Sequence, residues 1–192
     1  QHFLHENFII EKIVRAVAPK KTDNIIEIGP GLGALTQQLL PQLSCLSVIE
    51  LDKDLIPLLE EKCRHLGKLI VYQGDALKFN FKSLSKANGL WRLVGNLPYN
   101  ISTPLLFHCL DQASAIQDMH FMLQKEVVDR LNAQPGQASY GRLSVMIQYY
   151  CGVEKLFNVK PGAFQPPPKV DSAVVRLIPY KELPYKANDP LL

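Results

Sequence analysis

What this sequence lacks excludes several chemistries. Its four cysteines, Cys45, Cys63, Cys109 and Cys151, stand far apart, with no CxxC pair and no zinc-ligand spacing. They read as free thiols of a reducing compartment. The five histidines form no HxxxH pair, so a metal site has no support. No apolar run approaches the ~20 residues that span a bilayer, and the opening does not read as a signal peptide. Neither sign of charge dominates: 21 Lys and Arg against 18 Asp and Glu leave a net +3. That balance permits a nucleic-acid partner without requiring one. No internal repeat is visible.

What is present suits one domain with a self-sufficient core, at 192 residues, 47% hydrophobic and 20% charged. Apolar spacing predicts a helix over residues 7–18, stopped by Pro19. Strands are expected at 24–28, 46–50, 69–73, 90–94 and 119–123, with helices at 34–43, 54–66 and 103–110 between them. Two further helices, 125–132 and 143–150, flank a Gly/Pro/Ser-rich loop at 133–140. A last strand pair, 153–159 and 173–178, closes the chain. Strands alternating with helices imply an α/β fold with a doubly wound, mostly parallel sheet. The closing hairpin would place one antiparallel strand inside it.

Three segments carry chemistry. The first strand runs into Gly29-Pro30-Gly31-Leu32-Gly33-Ala34 and then a helix, so backbone can approach a ligand and a helix N-terminus can face its negative charge. Glu50 lies 21 residues beyond Gly29 at the end of the next strand, where a carboxylate can hold both hydroxyls of a ribose. The loop fits the dinucleotide pattern G-x-G-x-x-A as well as the Glu-x-Gly-x-Gly-x-Gly loop of methyltransferases, and by itself does not choose. Glu27 before the loop could order a methionine amino end, and Asp75 after the third strand could accept an adenine amino group. Both favour S-adenosylmethionine.

The fourth strand then delivers Asn96-Leu97-Pro98-Tyr99. A side-chain carbonyl from Asn96 and a neighbouring backbone carbonyl can accept both hydrogens of an exocyclic amino group. Pro98 stiffens the loop, and Tyr99 offers a face on which a ring can stack. Asn and Pro are also common in ordinary turns, but an ordinary turn has no need of the upstream loop.

Further pieces occur in a fixed order: Gln1-His2-Phe3-Leu4, Val48-Ile49-Glu50-Leu51-Asp52, Gly74-Asp75, residues 95–103 and 119–130, Tyr140-Gly141-Arg142-Leu143, and Phe164-Gln165-Pro166-Pro167-Pro168-Lys169-Val170-Asp171-Ser172. Over nearly its whole length the chain resembles the ribosomal RNA adenine N6,N6-dimethyltransferases. It is more similar to their bacterial small-subunit branch than to the large-subunit branch that confers macrolide resistance.

The resemblance implies the Rossmann-like fold of class I S-adenosylmethionine-dependent methyltransferases. It also implies transfer of methyl groups to two adjacent adenines of 16S ribosomal RNA within a pre-30S particle in the cytoplasm. The enzyme would be a monomer, with no metal and no membrane. His2, Leu4, Gly29, Glu50, Asp75 and Asn96 would contact the cofactor, although His2 stands where the family often has Asn. Asn96 and Leu97 would hold the target amino group, and Tyr99 and Phe164 would sandwich its ring. Lys125, Arg130, Arg142, Lys160 and Lys169 are candidate phosphate contacts. Residues 1–183 would form the methyltransferase domain, and 184–192 the start of a linker to a C-terminal helical domain.

Overall fold

The computed structural model describes residues 2–84 and 89–184. Gln1 of the opening motif and nearly all of the expected linker, 185–192, lie outside them. The chain first forms a short strand β1 (Phe3–Leu4) and helix α1 (Asn7–Val17). Ile10, Ile13, Val14 and Val17 recur at helical spacing and are the buried stripe of α1. The helix ends at Ala18, whose left-handed φ of 47° lets its N–H reach the Val14 carbonyl.

Seven strands build the main sheet: β2 (Asn24–Ile28), β3 (Leu46–Glu50), β4 (Leu69–Gln73), β5 (Trp91–Asn96), β6 (Ile116–Gln124), β7 (Cys151–Val159) and β9 (Ser172–Pro179). The order is β4-β3-β2-β5-β6-β9-β7. Only β9 runs against its neighbours β6 and β7, which is the single antiparallel strand expected inside the sheet. The chain moves one way from β2 to β4 and then the other way from β5. The strand order therefore reverses between β2 and β5, where open α/β sheets place ligands.

Both faces are covered, which is why the strand sequences read as apolar runs with little alternation. Ile25, Val48, Val94, Met122 and Val174 face the layer of α1, α2 (Thr36–Leu39) and α3 (Ile56–Cys63). Ile26, Ile28, Leu93, Phe121 and Leu123 face α4 (Phe81–Leu84), α5 (Ser102–Leu110), α6 (Lys125–Asn132) and α7 (Arg142–Tyr150). Arg92 ties the lower edge together: it bonds Asp118 at 3.0 Å, Asp23 at 2.7 Å and the Val17 carbonyl at the end of α1.

Two expected elements differ, and one element was not expected. The helix anticipated over 34–43 is helical only over Thr36–Leu39, followed by a 3-10 turn at Leu40–Gln42. Pro41 has no N–H to continue the helical ladder. The helix expected at 54–66 shortens to Ile56–Cys63, with Pro57 in its first turn. The third difference is a two-stranded ladder between β1 and β8 (Phe164–Gln165), pairing Phe3 with Gln165 and Leu4 with Phe164. Two residues per strand carry no periodicity to read.

Gly95 explains how close the two central strands come above the switch point. A Cβ added there would meet the Ile28 carbonyl oxygen at 2.5 Å. Since that neighbour is backbone, nothing can give way, and only glycine brings β5 this near to β2 just before the tetrad.

Candidate functional site

A cleft of about 570 Å³ opens at the reversal, between the tips of β2, β3 and β5 and the strap formed by β1. It lies within the 300–1,000 Å³ usual for small-molecule sites. Its first wall is the glycine loop. Gly31 holds φ +55°, and a Cβ there would approach the Phe3 ring to 3.1 Å, so the loop is glycine both for its backbone angle and for this packing. The Gly29 N–H bonds the Ile49 carbonyl at 2.9 Å, seating the loop on the end of β3.

Glu50 at the tip of β3 braces that wall. Its Oε2 accepts the Gly31 N–H at 3.1 Å, and its Oε1 accepts the Asp52 N–H at 2.9 Å. Each oxygen keeps a further lone pair for a ligand. Asp75, after β4, uses Oδ1 to accept the Leu77 N–H at 2.9 Å and cap a short 3-10 turn. Its other oxygen is left to the cleft, so the capping and ligand readings of this residue are compatible.

Glu27 lies at the cleft floor, 2% exposed, and accepts the Thr36 hydroxyl at 2.6 Å. Burial, with Glu50 nearby, pushes its pKa from 4.5 up to about 7 despite the Thr36 bond. A carboxyl whose folded pKa is raised binds its proton more tightly when folded, so stability declines as pH rises from about 4.5 to about 7. Glu27→Gln keeps an acceptor for Thr36 and removes the ionisation. The variant should be more stable than the parent at pH 8, by up to about 3 kcal/mol. That gain should vanish near pH 4.5, as denaturant titrations at both pH values would show; a gain independent of pH would contradict this origin.

The second wall is the tetrad. Asn96 ends β5 and lines the cleft, and its Nδ2 donates to the His2 carbonyl at 3.2 Å, which leaves Oδ1 as the acceptor of the amide. Leu97 is buried, its N–H on the Met122 carbonyl at 3.1 Å. Tyr99 is half-buried, with its carbonyl accepting from the Ser102 hydroxyl at 2.9 Å. The His2 ring nitrogen Nδ1 sits 2.7 Å from the Pro166 carbonyl, and the ring lies 6.2 Å from that of Tyr99. Leu4 and Phe164 pair across the β1·β8 ladder and also line the cleft. Phe164 is only 2% exposed, packed into the core as well as bordering the cavity.

The residues expected to meet the cofactor or the target base therefore border one cavity, whereas the five candidate phosphate contacts lie outside its lining. Others that border it carried no local signal. Met122 stands opposite Asn96 in strand register and Val174 opposite Met122, and their place at the cleft follows only from the strand order. His120 is buried there too, accepting from Arg176 Nε at 3.0 Å, and burial holds its pKa down to about 4. Leu51, 69% exposed directly after Glu50, was legible as an apolar residue at a strand end but was not singled out. The candidate phosphate contacts differ among themselves. Lys125 pairs with Asp129 and the exposed Lys160 with Asp171, whereas Arg130, Arg142 and Lys169 are exposed and in no ion pair among the described residues. Among the described residues no group of His, Cys, Asp and Glu could hold a metal, and no helix is long and apolar enough to cross a membrane.

A family model described as "Ribosomal RNA adenine dimethylase" matches residues 1–190. A protein of Pseudomonas savastanoi pv. phaseolicola, "Ribosomal RNA small subunit methyltransferase A", is 59% identical over 189 residues, covering 98% of this chain and 70% of the relative. Among solved structures, a dimethyladenosine transferase from Plasmodium falciparum superposes with a TM-score of 0.84 at 36% identity, covering 94% of this chain and 64% of the other. The 23S rRNA methyltransferase ErmE superposes at 0.83 with 27% identity, covering 96% and 72%. The architecture is the Rossmann-like one of class I S-adenosylmethionine-dependent methyltransferases.

Proposed function

Since this chain belongs to the ribosomal RNA adenine dimethylase family and is an rRNA adenine dimethyltransferase, we propose that it dimethylates N6 of two adjacent adenines of 16S ribosomal RNA. S-adenosylmethionine is the methyl donor, and the substrate is a pre-30S particle during subunit biogenesis. One observation carries the reading: Asn96 lines the cleft with its amide tethered through its donor side to the His2 carbonyl, which leaves its oxygen as the acceptor.

The residues present fit the cofactor. Gly29 leaves room for close backbone approach, and the spare lone pairs of Glu50 suit ribose hydroxyls. Asp75 suits an adenine amino group, and Glu27, ionised above about pH 7, suits an ammonium. His2 and Leu4 close the cavity from the strap. When bound, the cofactor would supply a strongly electrophilic sulfonium methyl.

Adenine N6 is a weak nucleophile because its lone pair is delocalised into the ring. The Asn96 oxygen and the Leu97 carbonyl take the two amino hydrogens and favour a more tetrahedral nitrogen, a preference that grows toward the transition state. In-line positioning supplies much of the remainder, and no dedicated base is required. The target base must first leave its stack, at a few kcal/mol. Stacking on Tyr99, backed by Phe164, offsets that by about 1–3 kcal/mol per base.

Residues 1–183 act as the methyl-transfer domain of a monomer. The exposed Arg130, Arg142 and Lys169 contribute phosphate contacts to RNA binding. Primer extension on small-subunit RNA from cells lacking the gene tests the proposal. Stops at two adjacent adenines should vanish in those cells and return on complementation. Persistence of both stops, or loss of a stop in large-subunit RNA instead, would reject it.

A further inference from the structure

Ser172 has no role in the chemistry described so far. It is the first residue of β9, 1% exposed, and its strand is gripped on both sides: Ser172 stands opposite Gln124 of β6 and Val159 of β7. The residue before it is fixed as well, because the Asp171 carbonyl accepts the Lys125 N–H at 2.9 Å and the Asp171 carboxylate pairs with Lys160. The Ser172 hydroxyl thus sits at one of the more constrained points in the sheet. It meets the Tyr99 hydroxyl at 3.0 Å.

Tyr99 needs such an anchor. Its backbone is held by Ser102, and the residue lines the cleft half-buried, with the His2 ring 6.2 Å away and tilted by 33°. A phenol fixed only at Cα can rotate about two side-chain torsions, and the stacking face would then sample several directions. A hydrogen bond at the far end of the ring, to a residue on a different strand, removes that freedom. Tyr over Phe at this position is otherwise unexplained, since stacking alone requires no hydroxyl.

We propose that Ser172 is a positioning residue, which locks the Tyr99 ring into the orientation that receives the flipped adenine. The assignment rests on the stacking role proposed for Tyr99. A preset ring lowers the ordering cost of base capture and leaves methyl transfer itself untouched. The effect therefore belongs in KM for the RNA substrate, with kcat and cofactor affinity nearly unchanged.

The test compares Ser172→Ala, Ser172→Thr, Tyr99→Phe, Tyr99→Ala and the Ser172→Ala/Tyr99→Phe double variant in the whole protein on pre-30S particles, with S-adenosylmethionine calorimetry alongside. Ser172→Ala and Tyr99→Phe should each raise KM by about fivefold to tenfold, the span of one neutral hydrogen bond. The double variant should be no worse than either single one, because both remove the same bond. Ser172→Thr, which keeps the hydroxyl, should restore most of the loss. A normal KM for Ser172→Ala beside an impaired Tyr99→Ala overturns this proposal alone. A fall in kcat and cofactor affinity together, or additive single effects, assigns Ser172 to general packing and overturns it too. Unchanged kinetics in Tyr99→Ala would remove the stacking role itself, and this proposal with it.

Discussion

Asn96→Ala should slow methyl transfer by about a hundredfold or more while changing cofactor affinity only a few-fold. The amide oxygen is preorganised: Nδ2 is engaged by the His2 carbonyl at 3.2 Å, so the side chain does not reorient as charge develops on the adenine nitrogen. Removing one such fixed polar group from a transition state typically lowers kcat by 10²–10³. Alanine also releases the His2 carbonyl and loosens the strap, which should raise KM modestly without affecting the opposite wall. Asn96→Asp separates these effects, since it keeps an acceptor but cannot donate to the carbonyl. Single-turnover methylation of ribosomal particles beside calorimetry reads both quantities. A near-normal rate for Asn96→Ala would reduce the tetrad to a turn.

Glu50→Ala should weaken S-adenosylmethionine binding by tenfold to a hundredfold. A ribose contact through a charged acceptor accounts for about 1.5–3 kcal/mol by itself. The same carboxylate also holds the Gly31 and Asp52 N–H groups, so alanine leaves two backbone donors at the cleft edge without their acceptor. The loop would lose its shape as well as its ligand contact. Glu50→Gln retains one oxygen and should fall between the two. Calorimetry would show this ordering, and unchanged affinity in the alanine variant would remove Glu50 from the site.

Much of this architecture was legible because the core strands are continuous apolar runs with clear breaks. Residues 24–28, 46–50 and 69–73 form strands over the same bounds that their sequence suggests. The antiparallel strand inside the sheet was likewise readable, from the shortened period after residue 153. Proline marks two of the boundaries: Pro41 stops the helix that begins at Thr36, and Pro57 falls in the first turn of the helix that begins at Ile56. The β1·β8 ladder was beyond reach, since its partners are two residues long and its register depends on the whole intervening fold. The cleft shows the same division. Glu27, Glu50, Asp75 and Asn96 stand at strand ends and announce themselves, whereas Met122, His120 and Val174 enter the cavity through strand order alone. Nor could sequence reveal that the Asn96 amide is oriented by His2, because that contact joins residues 94 apart.

The β1·β8 ladder also constrains the order in which this enzyme can come into being. Leu4 pairs with Phe164, a separation of 160 residues (164 minus 4). At the usual 5–20 residues per second of synthesis, the strap waits roughly 8–32 seconds for its partner to be made. Until then the glycine loop, Glu50 and the tetrad can exist as parts of a growing sheet, but the Asn96 amide has no fixed carbonyl to steer it. The cleft is therefore complete only after nearly the whole described chain has been made.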